Sequence, residues 1–249
     1  MHTLGIALER QQGVHAIGSD HRMDFDAWPG TLAYTPPGVE VFSESEAGGE
    51  YLVLRWQSDA YAEIQGNTQT RRQWMGQRHK LQAAHSLRRL LLSPVRDNMA
   101  IEQAALVFMQ QEHQEIPTPS PRMRATYARV LDRIRAEFDQ QITITQLATA
   151  EGKTPVRFLR EFTQLVGMTP HAFIVETRLQ AARDMMQRGA SSLATVAMDC
   201  GFTHQSHMGS AFRKMLGQTP RQYLAMLDRR RGSGVTRGHW PGATGVVHR

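Results

Sequence analysis

Two runs of this 249-residue sequence carry side chains suited to chemistry on a polyanion. The first is Pro155 to Leu165, PVRFLREFTQL. Phe158, Phe162 and Leu165 repeat at i, i+4 and i+7, which is one face of a helix. Val156, Arg157 and Arg160 then lie on the other side. A guanidinium is a planar fork of donors, and it fits the O6/N7 edge of guanine or a phosphate. The second run is His204 to Leu216, HQSHMGSAFRKML. Met208, Ala211, Phe212 and Met215 form its apolar side. Gln205, Ser206, Gly209 and Ser210 lie opposite, and the Gln205 amide can pair with adenine. Arg213, Lys214 and the helix N-terminus suit phosphate contacts. Gly209 weakens such a helix by about 1 kcal/mol relative to alanine.

Other reactive residues are sparse. His204 and His207 stand three apart with no third ligand, so a capping or backbone contact is the expected role. Cys200 is the lone cysteine, which excludes an internal disulfide framework and a cysteine-based zinc cluster. It has no resolving partner and reads as a buried thiol. His15 and His21 are six apart in a loop. Residues 1–76 contain no His-x-His with a spaced Glu and no convergent acid–base set. No catalytic residue, metal or cofactor is expected, and the chain does not read as an enzyme.

The elements that must present the two runs follow from periodicity. Tyr127, Val130, Leu131, Ile134 and Phe138 make a first helical stripe. Leu147 and Ala148 sit in a short helix ended near Gly152. Thr154 can cap the next helix with Pro155 at its first position. Short helix, glycine turn, second helix is a helix-turn-helix pattern. It recurs: Gly167-Met168-Thr169-Pro170 matches Gly217-Gln218-Thr219-Pro220 at an offset of 50, as Phe162 matches Phe212. Gly152 matches Gly201 at an offset of 49, one residue being inserted in the second turn. Between the units, PHAFIVETRLQAARDMMQRG reads as one long helix ended by Gly189. Phe173, Ile174, Leu179, Ala182, Met185 and Met186 are its expected buried positions. Two reading helices on one face of a duplex would sit about one turn apart, roughly 34 Å.

These residues resemble the AraC/XylS family of bacterial transcription regulators from about Val130 to Tyr223. The second unit, GFTHQSHMGSAFRKMLGQTPRQY, is similar to that family's signature. Leu147-Ala148, Thr154, Arg160, Phe162 and Gly167 to Pro170 fit in the first unit, and Phe173, Arg178, Ala182 and Met185-Met186 fit in the long helix. The resemblance implies a DNA-binding domain of about seven helices. It also implies an N-terminal domain that senses a small molecule, dimerises, or both. It places base-reading side chains at Val156, Leu159 and Arg160, with Arg157 beside them. Where the family commonly has an arginine and a phenylalanine, this chain has Ser210 and Met208. The second unit is therefore expected to read bases less strongly.

The whole is an α+β chain. Residues 1–113 form an effector-sensing or dimerisation domain, 114–121 a Pro-rich linker, 122–227 the double helix-turn-helix domain and 228–249 a disordered basic tail. Residues 1–121 carry 10 Lys+Arg and 14 Asp+Glu, a net of −4, whereas 122–249 carry 19 and 9, a net of +10. That asymmetry suits either a polyanion partner for the C-terminal part or a solvated basic surface with a basic tail; the resemblance implies that the partner is double-stranded DNA. Residues 1–76 read as a small β-barrel or sandwich, cupin-like by the resemblance, with strands at Thr31–Tyr34, Val39–Phe42 and Glu50–Trp56. Trp28, Tyr34, Phe42, Tyr51 and Trp56 are candidate walls of a ligand site. Residues 77–113 read as a helical pair, with Leu81, Ala84, Leu87, Leu90 and Leu91 as one stripe, that covers the sheet or forms a dimer seam. Expected partners are a small-molecule effector, a second copy, and RNA polymerase if the protein activates. No apolar run approaches the roughly 18 residues of a membrane span, and Met1 to Gln12 is not a signal peptide. A cytoplasmic protein associated with the bacterial nucleoid is expected. The alternative is an effector-independent architectural DNA binder.

Overall fold

The computed structural model describes residues 1–45, 49–57, 70–110, 119–189 and 192–232. The N-terminal half opens with β1 (His2–Ala7), β2 (Gln11–Ile17), β3 (Met23–Ala27), β4 (Leu32–Thr35), β5 (Val41–Ser45), β6 (Tyr51–Trp56) and β7 (Arg72–Trp74). Two helices follow, α1 (Arg78–Leu92) and α2 (Asn98–Gln110). The strands form two antiparallel sheets, ordered β6-β1-β4-β7 and β3-β2-β5. In the larger sheet, Leu4 pairs with Tyr34 and Leu54, and Ile6 with Leu32 and Leu52. Side chains in register share a face. That face packs on Leu81, Ala84 and Leu87 of α1 and Phe108 of α2.

Of the barrel and the sandwich expected, the described strands form two sheets that do not close into a barrel. The apolar face of the larger sheet is buried by the helical pair, so closure of the sheet on itself is not needed. Of the two roles weighed for that pair, covering the sheet is observed. Its stripe holds at Leu81, Ala84 and Leu87, whereas Leu90 and Leu91 are half-buried. Lys80 and Arg88 of α1 are buried as well.

The C-terminal half is all α: α3 (Pro121–Ala136), α4 (Ile144–Ala150), α5 (Pro155–Val166), α6 (Pro170–Gln187), α7 (Leu193–Asp199), α8 (Gln205–Leu216) and α9 (Pro220–Gly232). These are seven helices, as the resemblance implies. Ser120 caps α3 and Pro121 takes its first turn, so the helix begins inside the expected linker. Residues 111–118 lie outside the described residues. The helix α9 reaches Gly232, past the expected tail boundary at Asp228; the rest of the tail, 233–249, lies outside the described residues.

Each helix-turn-helix unit has its own core. Tyr127, Phe158, Phe162 and Phe173 fill the first with aromatic contacts at 5.7–6.1 Å. The second is built on Met186, Val196, Cys200, Met208 and Phe212. Cys200 is fully buried, 3.5 Å from the Met185 sulfur, and burial pushes its thiol up to about 11.

Candidate nucleic-acid interface

Local chemistry sets the two reading helices. The Thr154 hydroxyl accepts the Arg157 N–H and Pro155 opens α5, so two of the helix's orphan N-terminal positions are settled at once. Gly167 closes α5 at φ +76°, which a side chain would resist. In the second unit the His204 Nδ1 accepts the His207 N–H at 3.1 Å and so caps α8. Gly217 closes α8 at φ +70°. The inserted turn holds Gly201, where a Cβ would meet the Asp139 backbone at 2.7 Å.

On α5, Phe158 and Phe162 are fully buried, while Val156 is 78% and Leu159 36% exposed. Arg157 and Arg160 are exposed beside them. The structure thus brings all four expected residues of α5 to one outward face. Their charges are not equivalent. Arg157 Nε donates to Glu161 at 2.8 Å. Lys153 and the Tyr127 hydroxyl also donate to that carboxylate. Burial alone would raise Glu161, but these hydrogen bonds hold it down at about 2. Arg160 makes no ion pair among the described residues, so its fork is available to an outside acceptor.

On α8, Gln205, Ser206, Ser210, Arg213 and Lys214 are exposed. The Ser210 hydroxyl donates to the Ser206 carbonyl at 3.1 Å, within its own helix. Gly209, expected on the outward face, is covered by its neighbours, although a Cβ there would meet nothing within 4 Å.

Behind both helices stands the N-terminal half. Trp28 is fully buried in the first unit's core, and its indole N–H donates to Asp26 at 3.0 Å. A Cβ at Gly167 would touch Leu81 and Arg78 at 3.4 and 3.6 Å, and one at Gly217 would come within 2.5 Å of Arg89 Cγ. The helix α1 therefore abuts the C-terminal ends of α5 and α8 together. Arg88 Nη1 lies 2.8 Å from Glu50, its fork pairs with Glu176 of α6, and Nη2 donates to the Met215 carbonyl at 3.4 Å. Arg183 donates to Glu50 at 3.0 Å. Burial opposes the charge on Arg88, but Glu176 and Glu50 overcome it and keep the guanidinium protonated.

This ionic layer was missed from sequence. Its one signal is periodic: Glu176 and Arg183 stand seven apart on the same stripe of α6 as Phe173, Leu179 and Met186. The expected stripe itself is present, with Phe173, Ile174, Leu179, Ala182 and Met186 buried and Met185 half-buried.

The five candidate ligand-wall aromatics do not converge. Trp28 packs in the core of the first helix-turn-helix unit. Tyr34 bonds His2 Nδ1 at 2.7 Å, and Trp56 stacks on His2 at 5.5 Å. Phe42 is 45% exposed on the other sheet with Arg22 over its ring. Tyr51 lies over Gly5, where a Cβ would clash with its ring. They serve four different packings, not one wall.

Among the described residues no helix is long and apolar enough to cross a membrane. Residues 147–226 match a family model described as a helix-turn-helix domain. The probable transcriptional regulator LumQ of Photobacterium leiognathi is 29% identical over 36% of this chain and 36% of its own length. The HTH-type transcriptional regulator MtrA of Neisseria gonorrhoeae is 30% identical over 38% of this chain and 30% of its own. This chain spans about a third of the length of these curated relatives. The crystal structure of a probable AraC family transcriptional regulator from Rhodopseudomonas palustris is 28% identical, with a TM-score of 0.38, over 41% of this chain and 97% of that one.

Proposed function

We propose, from the premise that residues 147–226 are an AraC-type helix-turn-helix domain, that this protein is a sequence-specific DNA-binding regulator of transcription. The observation that carries the reading is the outward face of α5. An exposed Val156, an exposed Leu159 and an arginine without an internal counter-ion stand on a helix whose other face is fully buried. Arg160 reads a guanine edge and the apolar pair meets thymine methyls. Arg157, half-neutralised by Glu161, holds phosphate or an adjacent base. In α8, Gln205 and Ser206 reach bases while Arg213 and Lys214 fix the backbone; the Ser210 hydroxyl is spent on its own helix.

The N-terminal half gates this reader. A single helix, α1, supports the ends of both reading helices. Any ligand or second copy that binds one arrangement of α1 better than another shifts the spacing of α5 and α8. RNA polymerase is the further partner if the protein activates.

The test is a selection of binding sites from random duplex DNA by the full chain at near-physiological salt. An enriched motif is the expected result. Tight, salt-sensitive binding without enrichment would overturn the reading in favour of an architectural binder.

A further inference from the structure

The ionic layer between the two halves is not balanced. The carboxylates of Glu9, Glu50 and Glu176 come within 4.8 Å of one another and all three are buried. Two guanidiniums, Arg88 and Arg183, face them. They serve Glu50 and Glu176 by direct hydrogen bonds. Glu9 is left over. Its Oε2 accepts the Glu50 N–H at 3.1 Å, whereas its Oε1 accepts no hydrogen bond and lies 3.9 Å from the nearest guanidinium nitrogen. A buried carboxylate oxygen without a donor is costly, and the residue is only 9% exposed. Burial, with Glu50 adding to it and Arg183 opposing, pushes Glu9 up to about 7.

Glu9 also lines a cleft of about 180 Å³ between the β1–β2 connection, α3 and α6. An engineered cavity of ~150 Å³ holds a benzene ring, so this cleft accommodates a molecule of similar size. Phe138 and Phe173 supply apolar wall, and Asp184 a second carboxylate. Arg10 and Arg135 line it too; Arg10 is taken by Asp26 and Asp132, and Arg135 donates to the Arg10 carbonyl. With Glu50 and Glu176 already held by guanidiniums, the set lacks the several oxygens that a hard divalent cation gathers. The Glu9 Oε1, at ion-pair distance from Arg183 but without a hydrogen bond, can take one charged donor.

We propose that this cleft is a ligand site for a small organic amine, whose ammonium pairs with Glu9 and whose carbon chain packs on Phe138 and Phe173. On the regulator reading, on which this consequence rests, the site is an effector site placed between the halves rather than inside the β-sheets. The helix α6 forms one wall of the cleft and joins the two reading units, so occupancy acts on their relative placement.

The experiment is calorimetric titration of the full chain, without DNA, with n-butylamine and with n-butanol at constant ionic strength. Saturable one-to-one binding of the amine and none of the alcohol is expected. Glu9→Gln keeps an oxygen for the Glu50 N–H and removes the charge; it should weaken amine binding at least tenfold while the Tm shifts little. Ala181→Phe, which fills the cleft and leaves Glu9 intact, should weaken binding as much, and it decides the matter if Glu9→Gln does not fold. Absence of amine binding, or equal binding by the wild type and the variants, would overturn the site and leave Glu9 simply protonated. Because no DNA is present, this outcome is independent of the binding-site selection: the cleft can stand where the regulator reading fails, and the reverse.

Discussion

The two helix-turn-helix units share a chain grammar and differ in what they spend it on. The first packs an aromatic core and turns Val156, Leu159 and Arg160 outward. Its one acidic side chain on the reading helix, Glu161, is inside a network with Lys153, Tyr127 and Arg157. The second packs methionines and a cysteine, bonds Ser210 back onto its own helix and places a glycine where a side chain would project. Both units are tied to the N-terminal half, the first through Trp28 and the pairing of Arg10 with Asp132, the second through Arg88 and Arg89. On the proposed reading, one duplicated scaffold supports a reading unit and an anchoring unit. The difference lies in a few surface positions and not in the fold.

Removing the ionic anchor should have the largest effect. Glu176→Ala leaves the Arg88 guanidinium buried with one carboxylate fewer, and loss of a partner from a buried pair costs about 3–5 kcal/mol. Urea unfolding of the variant should show that loss; a change below about 1 kcal/mol would mean that the layer does not anchor the second unit.

Glu161→Gln addresses the first unit alone. The folded carboxylate titrates at about 2, below its ordinary 4.5. Its contribution to stability is therefore complete above the ordinary value and is lost as pH falls from there toward 2. Acid unfolding curves of the variant should be flatter over that window than those of the wild type. The same change releases Arg157, so the salt dependence of DNA binding should steepen by up to one phosphate contact.

Gly209→Ala is the mildest change. A Cβ there meets nothing within 4 Å, so the helix-propensity gain of about 0.8–1 kcal/mol should appear as added stability. A loss instead would show that the cover over this backbone is tight and that the glycine is required by packing.

Much of the DNA-binding half was legible. Caps and C-terminal glycines act over three or four residues, so Thr154-Pro155, Gly167 and Gly217 announced their helices from sequence alone. The buried stripes of α5 and α8 followed from period. What escaped depends on chain segments far apart. The Arg88–Glu176 pair joins residues 88 apart and Arg183–Glu50 residues 133 apart. A charged side chain carries no local mark of a partner that distant. Trp28 read as a wall of the N-terminal domain, yet it completes the core of the first DNA-binding unit. The choice between barrel and sandwich stayed open for a related reason. Alternation identifies a strand with one apolar face, but not whether that face meets another strand or the helices α1 and α2. The candidate reading face was legible as a set of residues, with Arg160 foremost among them; the capture of Arg157 by Glu161 needed the fold.

The most direct measurement is a repeat of the binding-site selection with Arg160→Ala beside the wild type and Gln205→Ala. If α5 is the reader, Arg160→Ala loses about 1–3 kcal/mol at the selected site and relaxes base preference at one position, while Gln205→Ala changes the motif less. Equal loss on every sequence would make Arg160 a phosphate contact. A larger change of motif from Gln205→Ala would contradict the division of the protein into a reading unit and an anchoring unit.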